Sequence, residues 1–325
     1  MPVLTLAQAI TDALDIALDH DDRVLLMGED VGKTGGVFRL SSGLYDKYGP
    51  DRVIDTPVAE SGIIGTAFGM SVAGMKPVTE IQFMGFSYPA YDQIVSHVGR
   101  IRNRSRHRFT SPMVIRMPYG GGIGAAEHHS ESTESIYAHT PGVKVVVPST
   151  PYDAKGMLLQ AIDDPDPVVF LEPIRLYRSV KEEIPDGAYR VPLGLARILI
   201  PGEDVTIITY GAMTAEARKA VGMLQREGVR PELIDLRSIV PFDLETVVES
   251  VEKTGRAVVV HEAHRTAGFG AEVVAQIQER SLFSLMAPIQ RVTGWDVIVP
   301  LMRAEKHYVP TAERIVAAVG KTLEE

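Results

Sequence analysis

Short β-branched runs alternate with helix-period stretches along the whole chain, and this alternation narrows the fold more than any other feature. In the first half the runs are VLLMG at Val24, VIDT at Val53, PVTEIQF at Pro77, MVIRM at Met113, KVVVPS at Lys144 and PVVFLE at Pro167. Helical stretches lie between them, notably from Glu60 to Gly74 and from Tyr91 to Arg104. Continuous apolar strands separated by helices build parallel sheets covered on both faces, so the class is α/β rather than an antiparallel sandwich. The opening segment belongs to the same pattern: Leu6, Ala9, Ile10, Ala13, Leu14, Ala17 and Leu18 share one helical face, and a basic flank leading into an unbroken apolar core is missing.

A chain of 325 residues has room for two cores. The proline-, glycine- and acid-rich stretch from Lys181 to Asp204 breaks the pattern, and it predicts a first domain over 1–185, a linker over 186–203 and a second domain over 204–325. That second domain reads VTIITYG, a helix from Thr214 to Glu227, PELIDLR, a helix from Leu244 to Lys253, AVVVHEA, a helix from Ala271 to Leu282, and PIQRVTG. This is the order of a small doubly wound sheet, whose functional groups belong at the strand C-terminal ends.

Composition removes several chemistries. There is no cysteine, hence no thiolate nucleophile, disulfide or iron–sulfur cluster. A formal net charge of -9 repels nucleic acid and anionic membrane outside a local patch. No apolar run reaches the roughly 18–20 residues of a membrane helix, so the expectation is a soluble cytoplasmic protein.

Several motifs mislead. GEDVGKT, Gly28 to Thr34, resembles a phosphate loop but is one residue short and puts Glu29 and Asp30 where phosphates would sit. GGGIGA, Gly120 to Ala125, imitates half a dinucleotide fingerprint without the later acidic residue. AESGI around Ser61 lacks the glycines of a nucleophile elbow. The run of Arg100, Arg102, Arg104, Arg106, His107 and Arg108 has no interleaved aromatics for a nucleic-acid surface. His261, Glu262 and His264 lack the spacing of a zinc helix.

Two features retain chemical content. Glu60 opens a stretch bearing Gly62, Gly65, Gly69 and Gly74, an unstable helix composition that makes sense where another backbone or a ligand comes close. It either caps that helix or, if buried, acquires the raised pKa that suits proton exchange with a weakly basic ring nitrogen. The second feature is AEHHSES, where His128 and His129 follow the glycine loop and can serve as acid or base, or lie merely exposed.

The ordered set GEDVG, GGVF, YGPDRVIDTPVAESGIIG, EIQF, YDQI, HHSES, PSTPYDAKG, FLEP, LYR, ITYGAM, DLRSIVPFD and RVTG resembles the beta subunits of the thiamine-diphosphate-dependent decarboxylase component of 2-oxo acid dehydrogenase complexes. The resemblance covers nearly the whole chain. It implies a transketolase-like pyrimidine-binding domain followed by a smaller transketolase C-terminal domain. Glu60 then holds the aminopyrimidine of thiamine diphosphate, Phe86 stacks on it, Gln82 lies near it, and His129, with His128 as second choice, acts in acyl transfer to a lipoyl group. The family clamps the diphosphate through Mg²⁺ with a GDG motif; none occurs here, so the resemblance assigns Mg²⁺ to an alpha subunit in an alpha2beta2 heterotetramer. It further implies a potassium site on backbone carbonyls of Ala161, Asp164 and Asp166, near Met113. The implied partners are a 2-oxo acid, pyruvate or branched-chain, and the lipoyl and peripheral subunit-binding domains of the dihydrolipoyl acyltransferase. Alternatives are an acetoin dehydrogenase or split transketolase beta subunit, or a noncatalytic interaction subunit.

Overall fold

The computed structural model describes residues 1–324. In chain order the first strands are β1 (Val3–Thr5), β2 (Val24–Gly28), β3 (Val53–Asp55), β4 (Lys76–Glu80), β5 (Val114–Tyr119), β6 (Lys144–Val146), β7 (Val168–Pro173) and β8 (Lys181–Glu183). They are followed by β9 (Arg197–Ile200), β10 (Val205–Thr209), β11 (Pro231–Asp235), β12 (Ser238–Val240), β13 (Ala257–His264) and β14 (Gln290–Gly294). The helices are α1 (Leu6–His20), α2 (Leu44–Tyr48), α3 (Glu60–Val72), α4 (Tyr91–Ser96), α5 (Ile101–Arg104), α6 (Glu134–Ala138) and α7 (Pro151–Asp163), then α8 (Met213–Arg226), α9 (Leu244–Thr254), α10 (Phe269–Ser281), α11 (Glu305–Tyr308) and α12 (Ala312–Leu323). Two compact units result, one of residues 1–119 and 136–193, the other of 120–135 and 194 onward.

In the first unit, β6, β7, β5, β4, β2 and β3 lie side by side in that order, all parallel. Helix α1 starts at a capping box, Thr5 accepting from the Gln8 amide at 3.2 Å while Gln8 accepts from the Thr5 amide at 2.9 Å. It buries the seven residues expected from its period and packs on α7. The expected helix from Tyr91 to Arg104 is instead interrupted: α4 and α5 flank a short 3-10 turn at Val98–Arg100.

A buried charge cluster joins three strands near their C-terminal ends. Arg116 on β5 is fully buried; its Nη1 donates to Glu80 on β4 at 3.1 Å, and its Nε to Glu172 on β7 at 2.6 Å. Tyr177 adds a 2.5 Å hydrogen bond to Glu172. Strand β2 sits between β3 and β4. The connection leaving β2 runs to β3 on one side, whereas that leaving β4 runs to β5 on the other, so a topological switch point opens between β2 and β4.

The second unit carries a sheet in the order β14, β13, β10, β11 and β9, with only β9 antiparallel to its neighbour. Two features differ from the expected boundaries. Residues 197–200, inside the expected linker, form strand β9, and Val191 donates to the Gly156 carbonyl at 3.1 Å. The loop 120–135, expected in the first domain, clusters with the second unit. Sequence order conceals this, because the loop's glycine amides pair with carboxylates more than a hundred residues away. No described helix is long and apolar enough to cross a membrane.

Candidate functional site

In the first unit two residues named from sequence, Glu60 and Gln82, lie with Glu29 on the connections that leave the switch-point strands and their neighbour β3. Glu29 follows β2, Gln82 follows β4, and Glu60 is the first residue of α3, reached from β3. Glu60 is half-buried, and none of the described side chains hydrogen-bonds its carboxylate. Ala59, which precedes it, supplies no side-chain cap. Glu29 is buried, and burial raises its pKa, with the negative charges of Glu60 and then Asp30 adding to the effect. Its Oε1 and the hydroxyl of Thr56 are buried without a hydrogen-bond partner. Buried polar atoms are normally satisfied, so two orphans beside Glu60 fit a group that brings its own donors or acceptors. Phe86, half-buried in the 3-10 segment Met84–Ala90, meets Phe83 edge-on at 5.4 Å between centroids.

Helix α3 is apolar nearly all round. It buries Ile63, Ile64, Ala67 and Ser71 and leaves Gly62, Thr66 and Gly69 exposed. Val58, just before it, is 81% exposed. A helix without a polar face is at home where a second surface covers it.

In the second unit the histidine loop is built on internal carboxylates. Glu262 accepts from the Gly121 amide at 2.6 Å and the Ser132 hydroxyl at 3.2 Å. Glu305 accepts from the amides of Gly122 and Gly124, each at 2.7 Å, and from the Ser130 hydroxyl at 3.1 Å. His128, exposed and at φ 74, approaches Glu131 at 3.5 Å. His129 is half-buried, and its Nδ1 lies 2.9 Å from the Glu127 carbonyl. A carbonyl can only accept, so that contact protonates Nδ1 and makes Nε2 the basic nitrogen. Glu134 is buried with Tyr210 donating to it at 2.6 Å, and desolvation pushes its carboxyl up to about 7.

The misleading motifs find structural roles. In GEDVGKT the amides of Gly32 and Lys33 are taken by Asp55 at 2.6 and 3.3 Å. In GGGIGA they are taken by Glu262 and Glu305. The arginine run is spent largely on the chain itself: Arg102 pairs with Asp166 at 2.6 Å, Arg104 caps the Ser96 carbonyl at 2.6 Å, and Arg100 caps that of Val95 at 2.8 Å. His264 bonds the Val297 carbonyl at 2.7 Å, and no metal-competent group of His, Asp and Glu occurs among the described residues. At the expected potassium position the Asp164 carboxylate holds Lys144 at 2.5 Å, Asp166 holds Arg102, and the Ala161 carbonyl accepts from the Asp164 amide at 3.3 Å. Sequence reasoning passed over Glu29 and Glu262 inside motifs it discounted, and missed Glu305 altogether. Only the neighbouring glycines hinted that something anionic approaches the backbone.

Comparison with known proteins agrees with this architecture. Residues 3–180 match the family model of the transketolase pyrimidine binding domain, and 194–315 that of the transketolase C-terminal domain. The chain is 50% identical over 321 residues to the pyruvate dehydrogenase E1 component subunit beta of Acholeplasma laidlawii, covering 99% of this chain and 98% of the relative. It is 49% identical over 324 residues to that of Bacillus subtilis (strain 168), covering all of both. Among solved structures, a split gene transketolase described as an inactive beta4 tetramer superposes with a TM-score of 0.81 at 25% identity, over 99% of this chain and 98% of that one. With both transketolase domains matched and full-length relatives at half identity, the chain belongs to the transketolase-like family, among the beta subunits of the pyruvate dehydrogenase E1 component.

Proposed function

We propose that this chain forms the pyrimidine-binding half of a cytoplasmic thiamine-diphosphate-dependent 2-oxo acid dehydrogenase, with pyruvate as substrate, completed by an alpha subunit that holds Mg²⁺ and the diphosphate. The observation that carries the reading is the placement of Glu60, Glu29 and Gln82 around one switch point, with buried polar atoms there left without partners. When bound, thiamine diphosphate supplies the nucleophilic carbon that adds to the 2-oxo group and takes up the electrons released with carbon dioxide.

The chain's own contribution is placement and proton handling. Glu60, uncommitted within the described chain, holds a proton against the ring nitrogen of the aminopyrimidine, and the buried Glu29 lies beside it. Phe86, backed by Phe83, offers an aromatic face for the ring, and Gln82 a side-chain amide. His129, with Nε2 as its basic nitrogen, suits proton transfer during acyl passage to a lipoyl group better than His128, whose contact is with a carboxylate. Pyruvate is favoured over branched-chain acids by the relatives' names. The partners are the alpha subunit and the lipoyl and peripheral subunit-binding domains of the acyltransferase. The Asp164 and Asp166 carboxylates are already paired with Lys144 and Arg102, so a potassium ion would rest on backbone carbonyls there.

Glu60→Gln tests the reading. It keeps the shape and removes the exchangeable proton, and the assembled enzyme is expected to lose about 10²- to 10⁴-fold in pyruvate decarboxylation. Wild-type turnover in that variant would return the chain to a noncatalytic role.

A further inference from the structure

Two glycines and a serine on either side of the histidine pair are organised by one buried carboxylate. Glu305, 4% exposed, opens α11 and uses both oxygens. Oε1 takes the Gly122 amide and the Ser130 hydroxyl, and Oε2 takes the Gly124 amide. It therefore fastens the loop on both sides of His128 and His129. Glu262 does the same further out, through Gly121 and Ser132. A Cβ at Gly121 would lie 2.7 Å from Glu305 Oε1, and one at Gly120 2.4 Å from Glu262 Oε1. Gly120, Gly122 and Gly124 also adopt φ of 87, 94 and 66, values that L side chains rarely take. Backbone amides turned toward one centre make an anion-binding nest. Here the anion is supplied by the chain itself.

We propose that Glu305 is a positioning residue for acyl transfer: its carboxylate, wrapped by the loop's amides, fixes the backbone that presents His129. The inference rests on the role given above to His129. A glutamine at 305 keeps the size but turns one acceptor into a donor facing an N–H or a hydroxyl, so the loop loses part of its fastening without losing volume. An aspartate keeps the charge at shorter reach.

The test uses the assembled enzyme with its alpha subunit and a free lipoyl domain. Three quantities are read for wild type, Glu305→Gln, Glu305→Asp and His129→Asn: acyl transfer to the lipoyl domain, pyruvate oxidation with a small dye oxidant that bypasses it, and amide hydrogen exchange over 120–132. Glu305→Gln is expected to lower kcat for acyl transfer by about tenfold to a hundredfold with KM for the lipoyl domain little changed. Dye-linked turnover should stay within about twofold, exchange of the loop should quicken, and Glu305→Asp should recover part of the loss. Wild-type exchange and wild-type acyl transfer in Glu305→Gln would overturn the inference. Should that variant fail to fold, Ser130→Ala removes a single donor; the same pattern at smaller amplitude supports the clamp, and wild-type behaviour overturns it. Unimpaired acyl transfer in His129→Asn would instead remove the role of His129, while loop exchange in Glu305→Gln still decides whether the carboxylate sets the loop.

Discussion

Burial gives two neighbouring side chains of the second unit opposite pH responses. Desolvation pushes Glu134 up to about 7, opposed by the Tyr210 hydrogen bond and reinforced by the charge of Glu262. Desolvation also pushes His261 down to about 4, helped by the positive charge of Arg291. Between about pH 4.5 and 7 the folded chain keeps a proton on Glu134 that the unfolded chain has released, so this residue's contribution falls as pH rises. Between about pH 4 and 6.5 the unfolded chain protonates His261 while the folded chain does not, and that contribution rises with pH. Removing one response should expose the other. Glu134→Gln retains an acceptor for Tyr210, and its stability relative to wild type is expected to improve from pH 5 to pH 8 by on the order of 3 kcal/mol, as read from denaturant midpoints. A difference that stays constant with pH would show that Glu134 is ionised throughout. At this scale Glu60 and the histidine pair stand out as candidates because each lies in an unusual local context of glycines. Glu305 was not, since its partner Gly122 is 183 residues away and the residues flanking it look ordinary.

At the level of elements, strand runs and helix periods were readable wherever burial is one-sided or complete, as in α1 and β2. The interruption between α4 and α5 was not, because nothing in QIVSHVGRIR announces a 3-10 turn by composition. Nor was the pairing of Arg116 with Glu80 and Glu172, which depends on β5 lying between β4 and β7. That cluster makes a sharp test of strand cohesion. Arg116→Met leaves two carboxylates buried without their cation, which is expected to cost about 3–5 kcal/mol; adding Glu172→Gln should recover a large part of it. Additive losses in the double variant would mean that the strands do not depend on the charge cluster. Helix α3 gives the reverse case. A Cβ at Gly69 meets nothing within 4 Å, so Gly69→Ala is expected to raise the stability of the isolated chain by about 0.5–1 kcal/mol. A leucine there should leave the isolated chain folded yet impede assembly with an alpha subunit, seen as loss of the heterotetramer peak in light scattering.

For the whole molecule, what is missing from the sequence is as informative as what is present. The chain carries Glu60 and Phe86, which the proposed function assigns to a pyrimidine, but no GDG motif for a magnesium-bound diphosphate. A fold neighbour composed of beta chains alone is described as inactive. If the cofactor is shared in this way, its free energy of binding is divided between two chains, and each half alone offers too few contacts to offset the loss of translational freedom. Calorimetric titration of thiamine diphosphate with Mg²⁺ separates the cases. The isolated chain is expected to give no binding heat, and the chain co-purified with an alpha subunit to bind one cofactor per pair. Glu60→Gln in that complex should weaken binding far less than it slows turnover, because the proton matters in the transition state more than in the ground state. Tight binding to the isolated chain would mean that this chain holds the diphosphate with groups of its own, and the division of the cofactor between two subunits would fall.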